Sequence, residues 1–148
     1  MIYIGADHRG FERKNEIFKF LNSRGIEIKD CGAYSYDKSD DYNDPAVTVA
    51  RSVRRDPSAC GILICGSALG VTIQANRFKG VRAITATDEE LIRLGREHNN
   101  ANIICLSADF MTTEEMINLV KVFLTTKFSQ EPRHIHRINR LDEREDYA

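Results

Sequence analysis

Short apolar, β-rich runs recur along the chain with room for a helix between most of them: 2–4, 26–28, 61–65, 81–86 and 102–106. Between them, Phe11, Ile17, Phe18 and Leu21 recur at near-helical spacing ahead of Gly25, a C-terminal stop, so 10–24 reads as a helix. Asp44 followed by Pro45 fits an N-cap and first helical position, opening a second helix to about Val53. Thr87 and Thr112 each precede a glutamate by three residues, Glu90 and Glu115, the capping-box spacing at the mouths of two further helices. This alternation, with crossovers long enough for parallel pairing, predicts an α/β fold: a three-layer α/β/α sandwich around a five-stranded, parallel, Rossmann-like sheet.

With 148 residues, 42% of them hydrophobic, the expectation is one domain over 1–148. The segment 131–148 is dense in charge and is expected to form a C-terminal helical arm, either solvated or docked on a partner. Lys and Arg (21) nearly balance Asp and Glu (22), so no overall field draws the chain to nucleic acid or an acidic membrane. No stretch approaches the ~18 apolar residues of a membrane span, and the opening MIYIGADHRG, without a basic stretch and long apolar core, is not expected to be a secretory leader. The cysteines, Cys31, Cys60, Cys65 and Cys105, form no CxxC pair, which argues for reduced thiols in a cytoplasmic protein.

In an open parallel sheet, ligands bind beyond the carboxyl ends of the strands. After the first strand come Asp7, His8 and Arg9; after the third, Cys65-Gly66-Ser67-Ala68-Leu69-Gly70, whose small residues let backbone N–H groups face an anion. A thiol there, near a helix start, would be biased toward thiolate and serve as base or nucleophile; a buried structural cysteine is the alternative. Position 71 is valine, not the arginine of a cysteine-phosphatase loop, and no Gly-Lys-Ser/Thr follows to make a nucleotide-binding P-loop. His98, at the end of a helix, fits a cap partner or a proton shuttle. Arg133 and Arg137 are four apart on a helix and form either a phosphate clamp or a solvated face.

Taken in order, Gly5-Ala6-Asp7-His8, Asp41-Tyr42, ILICGSALG over 62–70, Ala75 to Ala83, Glu97-His98-Asn99-Asn100-Ala101-Asn102, and Arg133-His134 with Arg137 cover nearly the whole chain. Together they resemble the ribose-5-phosphate isomerase type B and galactose-6-phosphate isomerase family of sugar-phosphate aldose–ketose isomerases. The resemblance implies no metal or organic cofactor, and a homodimer, or a tetramer of dimers, whose active sites are shared between subunits. It implies Cys65 as the base moving the proton between C1 and C2, N–H groups from Gly66 to Gly70 around the enediolate, and Ser67 near the moving proton. His98 from the partner subunit would open the sugar ring with Asn99 beside it. Asp7 would orient sugar hydroxyls, His8, Arg133 and Arg137 would hold the phosphate, and Tyr42 would line the pocket.

A cysteine at position 65 favours the ribose-type branch and hence ribose 5-phosphate. Many of that branch carry an arginine after the fifth strand where this chain reads Leu106-Ser107-Ala108-Asp109. Asp109 is therefore expected to turn away or pair with an arginine, and Arg9 to supply part of the missing positive charge. Allose 6-phosphate, galactose 6-phosphate or a tetrose phosphate are the alternative substrates. A non-catalytic sugar-phosphate-binding module and a redox protein are the alternatives from other classes.

Overall fold

The computed structural model describes residues 1–143. Five strands, β1 (Ile2–Ala6), β2 (Ile28–Asp30), β3 (Cys60–Cys65), β4 (Ala83–Thr85) and β5 (Ile103–Ser107), form one sheet in the order β2-β1-β3-β5-β4, every pair parallel. Helices α1 (Phe11–Ser23), α2 (Asn43–Arg55), α3 (Leu69–Ala75), α4 (Glu89–Asn99), α5 (Thr113–Thr125) and α6 (Pro132–Asn139) complete it, followed by a 3-10 turn at Arg140–Asp142.

Side-chain alternation along the strands builds two cores. Ile2, Ile4, Ile62, Ile64, Ile104 and Leu106 face the layer that includes α1, α4 and α5. Leu63, Cys65, Ile103 and Cys105 face α2 and α3. Because both faces are covered, the central strands read as unbroken apolar runs rather than alternating ones. The chain passes from β1 outward to β2, then crosses back to β3 on the other side of β1. The strand order therefore reverses between β1 and β3, the point at which loops diverge and leave a crevice at the carboxyl edge.

Several local expectations shift. The α2 helix begins at Asn43 with Tyr42 in the capping position, so Asp44 is not its N-cap and Pro45 is its third residue. Proline is tolerated there because first-turn N–H groups have no partner inside the helix. The α4 helix is capped by Asp88, not Thr87: its carboxylate takes the Leu91 N–H at 3.1 Å. A carboxylate at the positive end of a helix outcompetes the neighbouring hydroxyl. At α5 the Thr112–Glu115 capping box forms as expected. Gly25, at φ +73°, closes α1 by donating to Asn22 O. The C-terminal segment folds back, with α6 against α4 and the Gly80 N–H donating to Asp142 at 2.8 Å. The last part of the expected arm, 144–148, lies outside the described residues.

Candidate active site

The carboxyl edge at the β1/β3 reversal gathers most of the expected residues. Ala6 pairs with Ile64, so Asp7 and Cys65 leave the sheet side by side, with backbones about 5 Å apart as in any parallel ladder. Cys65 is a free thiol, 4% exposed, on the α2/α3 side. Asp7 is 5% exposed, and its Oδ1 accepts the N–H groups of Arg9 and Gly10 at 3.0 and 3.1 Å. Burial pushes its carboxyl above the ordinary range, with those hydrogen bonds and His8 opposing.

The turn after Cys65 is held from β5. Ser107 Oγ donates to Gly66 O at 2.6 Å, and the N–H groups of Ala108 and Asp109 donate to the carbonyls of Cys65 and Gly66 at 2.9 and 3.0 Å. Ala68 takes a left-handed conformation, φ +68°, before α3 begins. Within the expected anion-binding set Gly66–Gly70, the Leu69 N–H is already spent on Ser67 Oγ at 3.3 Å, while Ser67 itself faces solvent. Gly70 has no side chain because none fits: a Cβ there would lie 2.6 Å from Tyr42 Cζ. The Tyr42 ring therefore lies directly over the turn and roofs this edge.

On the other side of the edge, His8 is fixed by a residue that no local spacing reveals. Asp40 Oδ1 accepts both the His8 N–H at 2.9 Å and the ring Nδ1–H at 2.7 Å. A carboxylate only accepts, so Nδ1 carries a proton and Nε2 is the nitrogen left for a ligand. Arg9 pairs with Asp109 at 2.5 Å, and the pair lies over Gly66, where a Cβ would come within 2.9 Å of both side chains. Asp109 thus meets an arginine, as expected, and part of the Arg9 charge is offset in doing so. Beside the pair opens a cleft of about 300 Å³ lined by His8, Arg9, Glu12, Arg13, Tyr36 and Ala108.

The remaining expected residues lie at the opposite edge. Helix α4 returns antiparallel to the strands, so His98 and Asn99 sit where β4 and β5 begin; Arg82, just ahead of β4, donates to Asn100 O at 2.7 Å. The β5 strand alone, Ile103 to Ser107, places about 13 Å between that edge and the end at which Cys65 pairs with Ser107. Arg133 and Arg137 are exposed on α6, which packs against α4, and Arg133 is paired with Glu131 at 2.8 Å. One chain therefore divides the expected residues between opposite ends of the strands. Among the described residues no group of three His, Cys, Asp or Glu could hold a metal ion, and no helix is long and apolar enough to cross a membrane.

The sequence model of the family described as Ribose/Galactose Isomerase matches residues 2–141. The chain belongs to this family. A relative named ribose-5-phosphate isomerase B, from Mycolicibacterium paratuberculosis, is 42% identical over 97% of this chain and 91% of its own. The ribose-5-phosphate isomerase B of Thermotoga maritima superposes with a TM-score of 0.92 at 40% identity, over 97% of both chains. That of Mycoplasma genitalium, solved with bound ribulose-5-phosphate, superposes at 0.90 with 39% identity, over 95% of this chain and 92% of that one. The matched span runs from β1 through α6 and takes in both groups of expected residues.

Proposed function

We propose that the protein interconverts ribose 5-phosphate and ribulose 5-phosphate through a cis-enediolate, in active sites that each combine the carboxyl edge of one subunit with the α4/α6 end of another. The observation that carries this reading is that a thiol, Cys65, and a buried carboxyl, Asp7, leave neighbouring strands one residue beyond the Ala6–Ile64 pair, at the reversal point of the sheet. The relatives' names and the ribulose-5-phosphate bound by one of them support the substrate.

Ring opening requires a proton to leave the anomeric hydroxyl and another to reach the ring oxygen, work suited to an imidazole. His98 of a second subunit takes that role, with Asn99 beside it. Asp7 orients the opened sugar's hydroxyls. Cys65, as the base, then takes the proton from C2 of the aldose and delivers it to C1 of the enediolate, while the O2 hydroxyl proton passes to O1 to leave the ketose. Charge developing on the enediolate oxygen is met by N–H groups of the Gly66–Gly70 turn, each such donor being worth about 3 kcal/mol. Ser67 stands near the moving proton, and Tyr42 closes the pocket wall. Remote binding energy comes from the phosphate, held by His8 and Arg9 of one subunit and Arg133 and Arg137 of the other.

The two-ended distribution of these residues supports a homodimer as the smallest active unit. Four free thiols support a reducing compartment, the cytoplasm. The reading is tested by proton NMR of the purified protein in D₂O with ribose 5-phosphate, allose 6-phosphate and galactose 6-phosphate, alongside a Cys65→Ala control. Cysteine-dependent formation of ribulose 5-phosphate with deuterium at the enolised carbon is expected. Faster turnover of a six-carbon phosphate would reassign the substrate, and binding without exchange would leave a sugar-phosphate-binding module.

A further inference from the structure

Beside His98 lies a second imidazole to which the isomerisation steps assign no work. His134 is 4% exposed, and its ring stacks on that of His98 with centroids 4.5 Å apart and planes 32° apart. Its Nδ1 is 2.8 Å from Ser129 Oγ. That oxygen also accepts the Glu131 N–H at 3.2 Å, so Ser129 ties the His134 ring to the start of α6. The Ser129 N–H donates in turn to Glu97 O at 2.9 Å, on the residue before His98.

A closed circuit therefore runs from the end of α4 through Ser129 to His134 and back to the face of the His98 ring. Ordinary packing of α6 on α4 needs an apolar side chain of similar volume; it does not need a buried imidazole held by a serine hydroxyl. Burial holds His134 below the ordinary imidazole range, helped by His98, Arg133 and Arg137 and opposed by Glu131, so it stays neutral at pH 7 and adds no charge against His98.

We propose that His134, locked by Ser129, is a positioning residue that fixes the plane of the His98 imidazole and so sets the rate of sugar-ring opening without affecting enolisation at Cys65. The proposal rests on the reading of His98 as the ring-opening group. A flat ring covering one face leaves His98 only edge-on freedom toward substrate, and small losses of alignment cost about tenfold or more in proton-transfer rate.

The two steps separate experimentally because ribulose 5-phosphate cannot close a furanose ring: its carbonyl is at C2 and its C5 oxygen is esterified. Deuterium exchange into C1 of ribulose 5-phosphate in D₂O therefore reads enolisation alone, whereas conversion of ribose 5-phosphate reads ring opening as well. His98→Ala should lose conversion and keep exchange. His134→Ala should lower conversion about tenfold with exchange and KM nearly unchanged, and His134→Phe, which keeps a flat ring on His98, should recover most of it. Ser129→Ala should move the ratio in the same direction by less, and it carries the test if His134→Ala fails to fold. An unchanged ratio of conversion to exchange in His134→Ala, or in Ser129→Ala if that variant must serve, overturns the proposal while leaving the isomerase reading intact. An unchanged ratio in His98→Ala overturns both the ring-opening role and the inference built on it.

Discussion

Cys65 and Cys105 project to the same side of the sheet from neighbouring strands, yet their surroundings set different chemistry. Cys105 is fully enclosed, and burial pushes its thiol up to about 12, so it stays protonated at any working pH. Cys65 ends its strand beside Asp7 and the glycine-bounded turn. Cys65→Ala should lower turnover by about 10³-fold, the scale of a lost general base, while Cys105→Ala should keep it within a few-fold. A steady-state assay of both variants checks this, and equal losses would remove Cys65 from the chemistry. Asp7 shows the cost of such a site. Its carboxyl is raised above 3.8, so the folded state binds the proton more tightly than the unfolded one. The stabilising share of the protonated form is full below 3.8 and is lost as pH rises through the raised value, which leaves the charged group destabilising at neutral pH. Asp7→Asn keeps an acceptor for the Arg9 and Gly10 N–H groups and should raise the Tm at pH 7 while lowering turnover; a lower Tm would contradict that sign. Arg9→Ala should raise KM for ribose 5-phosphate by up to about tenfold with less change in kcat, since Asp109 already offsets part of the guanidinium charge. An unchanged KM would take Arg9 out of the phosphate site.

At the scale of elements, α6 docks through a buried titrating group. Its buried His134 has a pKa below 6.5, so the fold favours the neutral ring. That contribution is present above 6.5 and is lost as pH falls through the lowered value, because protonation sets His134 against His98, Arg133 and Arg137 with Glu131 alone opposing. Protection factors of α6 amides, which correct for the slower intrinsic exchange at low pH, should therefore fall between pH 7.5 and 5 more than those in β3, and His134→Phe should flatten the difference; equal falls in both would place the acid sensitivity elsewhere. The elements themselves were mostly legible in the sequence. Four apolar runs coincide with strands and the Thr112–Glu115 spacing forms a real capping box, because both signals are local, whereas the second strand lies at Ile28–Asp30 and shares only Ile28 with the expected 26–28. Adjacent Thr87 and Asp88 offered two caps, and only the folded turn selects the carboxylate. The start of α2 was displaced for a related reason: Pro45 fits any position of the first turn. The Asp40–His8 pair, the Ser107–Gly66 bond and the His98–His134 stack were not legible, since their partners lie 32, 41 and 36 residues apart and no periodicity links them.

For the whole molecule, the order of motifs along the chain revealed the family but not where each half of the site stands. Asp7, His8, Arg9, Tyr42 and Cys65 share the carboxyl edge, while His98, Asn99, Arg133 and Arg137 lie at the other end of the strands. That division follows from topology: a helix returning from a parallel strand must end at the opposite edge. On the proposed mechanism, an isolated chain would hold Cys65 and His98 about a strand length apart, unable to act on one sugar. A two-fold pair of chains can bring each half against its complement, twice. The direct test mixes two inactive proteins, Cys65→Ala and His98→Ala, under conditions in which native mass spectrometry confirms subunit exchange, and assays ribose 5-phosphate isomerisation. Each mixed dimer would contain one intact site and one doubly disabled site, so activity should recover to about a quarter of wild type. Mixed dimers that form but remain inactive would contradict a site built from Cys65 of one subunit and His98 of the other.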